Sequence, residues 1–189
     1  MKNKLLFLLS LSLLLSCASA QAQSAATFID QMQPLIDNTV GGLAIGGPSQ
    51  QKLAQTVTVA HAGRLRGVFL PIGCDSGRLL VEIRNVNPSG EPGSLVLARQ
   101  RFPAEDVAVI GPVFRYFKFE DSDLSFMAGN HFAIVLRNPT GSCGIFRGPA
   151  GNSYTGGAGF FDALPNAPGW LPLSGPDLDL PFMTVMKLH

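Results

Sequence analysis

Short segments in which apolar residues recur at every second position appear along this chain from Leu53 onward. In Arg78–Val86, for example, Leu79, Val81 and Ile83 fall on one side of an extended chain, because successive strand side chains point to opposite faces. The other such segments are Gln55–Val59, Arg64–Ile72, Leu95–Gln100, Val113–Glu120, His131–Arg137 and Phe182–Leu188. The pattern predicts strands that each supply one apolar face to a shared core.

Turn-forming residues separate these segments, as in Pro88-Ser89-Gly90, Pro92-Gly93 and Gly111-Pro112. The chain of 189 residues contains 21 glycines and 14 prolines, which would interrupt the helices of a bundle or a coiled coil. Its hydrophobic fraction of 46% is too high for a disordered chain. We therefore predict an all-β fold, a two-sheet antiparallel β-sandwich of the jelly-roll type.

The first twenty residues have the features of a secretory signal peptide. Lys2 and Lys4 give a positive start, and Leu5–Leu15 is apolar apart from two serines. Ala18-Ser19-Ala20 supplies the small residues of a cleavage site. The apolar run is about eleven residues long, which is too short for a permanent membrane span. The sequence therefore predicts export to the periplasm, the cell surface or the extracellular space.

A second processing route is encoded in the same segment. Leu14-Leu15-Ser16-Cys17 resembles a bacterial lipoprotein box, in which the cysteine is lipidated and becomes the new N-terminus. Leu15 departs from that pattern, which prefers a smaller or β-branched residue at this position. Cleavage after Ala20 and lipidation at Cys17 both remain open, and lipidation would give the protein its one membrane attachment.

Residues 21–52 are polar and glycine-rich and form a lead-in segment to the sandwich domain. This segment contains two strand candidates, Thr27–Gln31 and Leu43–Ile45. We place the sandwich domain itself at residues 53–189, because strand signals recur every 10 to 18 residues from there.

Two cysteines, Cys74 and Cys143, remain once Cys17 has been removed or lipidated. An oxidising compartment would allow them to form a disulfide, and the alternative is a pair of free buried thiols. The three histidines are scattered and no zinc-binding spacing is present.

The formal net charge is +1, and removal of Lys2 and Lys4 would change it to −1. No basic run occurs along the chain. This argues against nucleic acid and anionic membrane surfaces as main partners.

A resemblance to known domains runs over about residues 28–188. It rests on Gln55-Thr-Val-Thr-Val, Leu80-Val-Glu-Ile-Arg, Glu91-Pro-Gly-Ser-Leu-Val-Leu-Ala, Ala128-Gly-Asn-His-Phe-Ala-Ile-Val-Leu and Leu180-Pro-Phe-Met-Thr. These motifs resemble the jelly-roll domain of many secreted, anchored or cell-surface bacterial proteins, which is similar to galactose-binding-like and carbohydrate-binding modules. The resemblance implies non-catalytic display or binding, while fold alone leaves the function open.

Residues for catalysis do not form a recognisable set. Gly151-Asn-Ser153-Tyr-Thr155 has threonine where a nucleophile elbow needs glycine, so a turn before a strand is the better interpretation of Ser153. A glycosidase would need two converging carboxylates, and Glu82, on an alternating strand, is expected on a solvated outer face. We therefore expect no enzymatic activity and no organic cofactor.

Two pairs of aspartates are candidate ligands of a structural Ca²⁺, namely Asp121 with Asp123 and Asp177 with Asp179. Side chains at i and i+2 of an extended segment share a face, and Ca²⁺ takes six to eight oxygen ligands. The EF-hand pattern is absent. The alternative is that these acids are solvated and cap turns.

The residues best suited to bind a glycan or another extracellular polymer are two aromatic residues in loop-like segments, Trp170 and Tyr154, with Arg147 and Asp162 nearby. Sugar rings stack on aromatic side chains while polar groups orient their hydroxyls. The alternative is that both rings seal the edge of the sandwich. The domain would then have a structural or protein-interaction role in the cell envelope, with no small-molecule ligand. The oligomeric state is not predicted.

Overall fold

The computed structural model of the chain describes residues 26–108, 111–119, 123–151, 153–165, 169–173 and 179–188. Within these residues the protein is all-β, with fourteen strands and one 3₁₀ helix at Ala104–Val107. The strands are β1 (Thr27–Gln33), β2 (Leu43–Gly46), β3 (Lys52–Thr58), β4 (Gly63–Leu70), β5 (Ile72–Cys74), β6 (Arg78–Val86), β7 (Pro92–Pro103), β8 (Arg115–Lys118), β9 (Ser125–Phe126), β10 (His131–Arg137), β11 (Ser142–Ile145), β12 (Gly159–Asp162), β13 (Leu171–Pro172) and β14 (Phe182–Lys187).

The strands form three antiparallel sheets. In the first sheet the order is β1-β14-β4-β8, and β9 also pairs with β4. The second sheet has six strands in the order β13-β12-β3-β10-β6-β7. The third is small and has the order β2-β11-β5.

The main core lies between the first and second sheets. On β6, Leu79, Val81 and Ile83 are fully buried, as the alternation predicted, and they share one apolar cluster with Val68 of β4 and Phe182 of β14. Because both sheets direct their apolar faces into this cluster, the layers have the arrangement of a β-sandwich. The all-β, antiparallel prediction is therefore confirmed.

The lead-in segment is part of these sheets. Its first strand, β1, pairs with β14, and its second, β2, pairs with β11. The Asp30 carboxylate, only 1% exposed, accepts hydrogen bonds from the backbone N–H groups of Ala60 (3.0 Å) and His61 (2.8 Å). Both predicted strands of the segment are present, β1 at an edge of the first sheet and β2 at an edge of the third.

The disulfide between Cys74 and Cys143 is present, so the free-thiol alternative is wrong. The two cysteines lie directly opposite each other on β5 and β11 of the third sheet, and both are buried. Their side chains point into the main core, because Ile72 and Ile145 on the same strands are also part of it.

The predicted signal peptide and Cys17 lie outside the described residues. In the part of the chain that the structure describes, no helix has the length and apolar character required to cross a membrane.

Candidate functional site

The outer face of the second sheet, directed away from the main core, has an apolar cluster of its own. Its buried members are Ala54, Ala133, Val135 and Phe160, and Trp170 packs against them. Val135 lies opposite Ala54 on the neighbouring strand, and Ala54 lies opposite Phe160. The small side chains of β3 and β10 leave room above the sheet, which Phe160 and Trp170 occupy. We call this group the outer cluster.

A cleft of about 510 Å³ opens beside the outer cluster, and we call it the outer cleft. Its floor contains Phe160 together with Thr56, Thr58 and His131, and its walls are the loops at residues 87–90 and 156–158. Apolar area combined with a few fixed polar groups is the usual composition of a ligand site.

The polar groups of the floor are held in place by hydrogen bonds. Thr58 Oγ1 donates to the Gly156 carbonyl at 2.6 Å and lies 2.9 Å from His131 Nδ1. A hydroxyl has one proton to donate, so Nδ1 of neutral His131 must be the donor in the second bond. The exposed imidazole then presents Nε2 as an acceptor, to which no side chain of the described residues donates.

One wall of the outer cleft is an ordered turn between β6 and β7. The Asn87 side-chain oxygen accepts from Ser89 Oγ at 2.8 Å and from the Glu91 N–H at 2.9 Å. Gly90 has φ +86°, a conformation that favours glycine. This wall is therefore preformed.

The opposite wall approaches β3 closely. Thr56 N donates to Ala158 O at 2.9 Å, and Ala158 N donates to Thr56 Oγ1 at 3.0 Å. A Cβ at Gly157 would overlap the carbonyl oxygen of Thr56, so only glycine fits there. This close contact brings the loop over the outer face and gives the cleft its depth.

Glu82 lies on the same outer face, but the expectation that it is solvated was wrong. Its side chain is fully buried beneath three arginines. Arg84 bonds Oε2 through Nε at 2.7 Å and also through Nη2, Arg99 Nε bonds Oε1 at 2.7 Å, and Arg137 Nη1 approaches Oε1 at 3.4 Å. A carboxylate can be buried at acceptable cost only when it is paired in this way.

Of the predicted ligand-binding residues, Trp170 and Asp162 lie on the second sheet or pack against it. Trp170 is half-buried and packs against the outer cluster. Asp162 is buried, and its carboxylate accepts a hydrogen bond from Lys52 Nζ at 2.7 Å. Asp162 is therefore engaged by the protein itself.

Tyr154 lies in the main core. Its ring is edge-on to Phe182 at 5.0 Å, and its hydroxyl accepts from Thr58 N at 3.2 Å. Burial raises the pKa of Tyr154 to about 12. With its ring enclosed between the sheets, Tyr154 offers no free face on which a sugar could stack.

Arg147 is not part of the outer face. It follows β11, and its carbonyl accepts from Asp37 N at 2.9 Å. Its buried Nε has no hydrogen-bond partner among the described residues. The structure therefore does not bring the four predicted ligand-binding residues together.

The two described candidate ligands of Ca²⁺ have protein partners. Asp123 is exposed and pairs with Arg64 at 2.7 Å. Asp179 is buried and accepts from Gln55 Nε2 at 3.0 Å and from Tyr154 N at 2.9 Å. Asp121 and Asp177 lie outside the described residues, and within those residues no three His, Cys, Asp or Glu side chains group as a metal site. The Ca²⁺ site stays a prediction.

Ser153 does not form part of a nucleophilic triad in the described structure. His61 Nδ1 lies 3.0 Å from Asp30 Oδ1, which is the geometry of an Asp–His pair. Ser153 lines a shallow cleft with Asp30, but among the described residues no hydrogen bond joins it to a histidine.

Phe160, Thr56 and Thr58 were missed as site residues from the sequence. Their signal was that β3 and β10 are apolar or small on both faces, as in Phe132-Ala-Ile-Val-Leu136. Such strands are covered on both sides. What covers them depends on loop paths that a periodic pattern does not specify.

No protein-family model matches the chain, and no match was found among curated proteins. The observations that bear on function therefore come from the outer face of the second sheet, with its cleft and its apolar cluster.

Proposed function

We propose that the protein is an exported, non-catalytic binding module with a jelly-roll fold, which recognises a glycan or another extracellular polymer through the outer face of its second sheet. The observation that carries this proposal is the outer cleft, which Phe160, Thr58 and His131 line, next to the outer cluster against which the half-buried Trp170 packs.

The strand order supports the jelly-roll assignment. If β1, β3, β4, β6, β7, β8, β10 and β14 are numbered one to eight along the chain, the first sheet reads 1-8-3-6 and the second includes 2-7-4-5. This interleaving of two four-stranded sheets is the order of a jelly roll built from two Greek keys. The remaining strands widen these sheets or form the third sheet.

Two features support export. The buried disulfide between Cys74 and Cys143 is stable in an oxidising compartment, and the first twenty residues carry the features of a signal peptide. Intact mass of the exported protein separates cleavage after Ala20 from lipidation, because a diacylglyceryl group on Cys17 adds a defined mass.

Glycan binding can be tested through Trp170, the single tryptophan of the chain. The exported protein is screened on a glycan array, and hits are measured by calorimetry and by acrylamide quenching of tryptophan fluorescence. We expect a hit to reduce quenching and Trp170→Ala to weaken its binding about tenfold, or about 1.4 kcal/mol. Tyr116→Ala is the matched control, since this exposed aromatic lies on β8 of the first sheet. An array without hits, or equal losses in both variants, would contradict the proposal.

A protein-interaction role is the second candidate. It is favoured by β1, an edge strand of the first sheet, which leaves Ile29 and Met32 exposed, and by Leu35 just beyond it. Open strand edges with apolar side chains pair readily with other chains. Co-purification of a defined envelope protein that Met32→Lys releases, without any glycan binding, would favour this function.

A further inference from the structure

Positive charge is concentrated on the outer face of the second sheet, although the whole chain has a formal net charge of only +1. Arg99 lies opposite Glu82, and Arg101 and Arg137 both lie opposite Leu80 from the two flanking strands. Side chains at paired positions share a face, so these groups are neighbours. We call the positively charged residues of this face the cationic band, and they are Lys52, Arg78, Arg84, Arg99, Arg101 and Arg137.

Two carboxylates only partly neutralise the cationic band. The acidic side chains on the same strands are Glu82 and Asp162, so six cations against two anions leave a surplus of four positive charges. Arg84, Arg99, Arg101 and Arg137 come from three different strands, and strand pairing alone brings them together. The surplus is therefore a property of the folded sheet.

The arginines keep hydrogen-bond donors free for a ligand. A guanidinium has five N–H donors, and Arg99 gives only its Nε to Glu82, while Arg137 gives only Nη1. The two side chains remain 37% and 30% exposed, so their remaining donors are accessible. The Arg101 side chain is exposed and forms no hydrogen bond or ion pair within the described part of the chain.

Glu82 gives these cations a fixed arrangement. Because its carboxylate is fully buried, the guanidinium groups that bond it are held against the sheet instead of moving freely in solvent. A side chain fixed in advance loses less conformational entropy when a ligand binds. The buried carboxylate thus positions an anion-binding surface.

We propose that the polymer bound by this face is an anionic polysaccharide. This inference rests on the proposed function and names the class of glycan. Acidic groups of the polymer pair with Arg99, Arg101 and Arg137, and its sugar rings lie across the outer cluster towards the outer cleft. Arg99 and Arg101 are about 7 Å apart along the strand, and Arg101 and Arg137 are separated by two strand spacings, or about 10 Å. These distances suit charges repeated along a saccharide chain.

A polysaccharide fits this face better than a nucleic acid does. The cationic band shares its face with a preformed cleft that has hydroxyl, imidazole and amide groups, which match sugar hydroxyls, and the outer cluster lies between the two. Nucleic-acid surfaces instead need many phosphate contacts, and the surplus here is only four charges. Carboxylate and sulfate share the chemistry that arginine recognises, so both sources belong in the test.

The test uses the full exported protein and four polymers, namely polygalacturonate, dextran sulfate, neutral dextran and single-stranded DNA. Binding is measured by calorimetry at low and high salt for the wild type, Arg101→Gln and Arg64→Gln. Arg101 has no bonding partner to lose, so its variant keeps the fold. The matched control removes the same charge from the first sheet, where Arg64 forms an exposed pair with Asp123.

We expect polygalacturonate or dextran sulfate to bind more tightly than neutral dextran, and high salt to weaken that binding. Arg101→Gln should reduce affinity at least fivefold and Arg64→Gln less than twofold. Whichever of the two acidic polymers binds identifies the anion as carboxylate or sulfate. If the glycan array gives only neutral hits that Trp170→Ala weakens, the inference is wrong and the proposed function stands. If no glycan binds at all, both fail. If DNA binds more tightly than either acidic polysaccharide, the choice of a polysaccharide is wrong.

Discussion

Replacing Glu82 by glutamine should destabilise the protein strongly, because it removes the buried carboxylate whose negative charge pairs with three arginines of the second sheet. Glu82 is fully buried, and the side chains of Arg84, Arg99 and Arg137 are only 14%, 37% and 30% exposed. Glutamine has the same shape but a single acceptor oxygen and no charge. Removing one partner of a buried ion pair costs about 3–5 kcal/mol.

The expected loss in the free energy of unfolding for Glu82→Gln is therefore about 3 kcal/mol or more. In a domain of this size this lowers the melting temperature by about 6–12 °C. Urea unfolding followed by Trp170 fluorescence and by far-UV circular dichroism measures it, and coincident transitions would support two-state analysis. Asp123→Asn is the matched control, because Asp123 and Arg64 form an equally short pair of 2.7 Å in an exposed position. An exposed pair is worth at most about 1 kcal/mol.

A double-mutant cycle separates the interaction between Glu82 and Arg99 from the unrelated effects of each substitution on stability. If Glu82 and Arg99 interact as the structure shows, Glu82→Gln combined with Arg99→Gln loses less stability than the sum of the two single changes, by about 0.5–3 kcal/mol. Additive losses would refute the reasoning, as would a Glu82→Gln protein as stable as the Asp123→Asn protein.

Three further outcomes follow from the core and the cleft. Replacing Cys74 and Cys143 by alanine should cost about 4 kcal/mol in urea unfolding, since the disulfide closes a loop of 69 residues, and a loss below about 1 kcal/mol would contradict this. Tyr154, with its pKa raised from 10.0 to about 12, should ionise in ultraviolet titration well after a free tyrosine. The folded protein holds the Tyr154 proton to a higher pH than the unfolded chain does. The stability that protonated Tyr154 contributes is therefore complete below pH 10 and is lost as the pH rises towards about 12. Tyr154→Phe should abolish this pH dependence of the free energy of unfolding. Gly157→Ala should weaken glycan binding and lower the melting temperature, because its Cβ meets the Thr56 carbonyl, whereas Gly41→Ala, which lies outside the outer cleft and has open space around it, should change neither.

Period-two alternation was enough to predict seven of the fourteen described strands, namely β3, β4, β6, β7, β8, β10 and β14. His131–Arg137 and Arg78–Val86 were predicted with the bounds that the structure has. The strand predicted at Val113–Glu120 is shorter in the structure, because β8 pairs with β4 only over Arg115–Lys118. Each of these segments contributes residues to a buried face of a sheet. Burial of one strand face requires apolar residues at every second position, and this alternation can be recognised in the sequence.

The candidate site was less predictable, because its parts are far apart in the chain. Arg84 shares a face with Glu82 because it is two residues away on β6, but only the register of β7 and β10 against β6 places Arg99 and Arg137 beside the same carboxylate. Tyr154 was predicted in a loop context, which is where it lies, but its ring turns inward to pack on Phe182. Neither arrangement leaves a local signal.

The position of β14 has a consequence for when the protein can fold. This strand, which follows the other thirteen in the chain, lies between β1 and β4 in the first sheet, and Gln31 N bonds Thr184 Oγ1 across a separation of 153 residues. Such distant pairing makes folding slow, and until β14 arrives two strand edges lack their partner. The first sheet therefore cannot close until residues 182–187 have been synthesised, and a chain truncated before residue 182 would expose two open strand edges and be prone to aggregate.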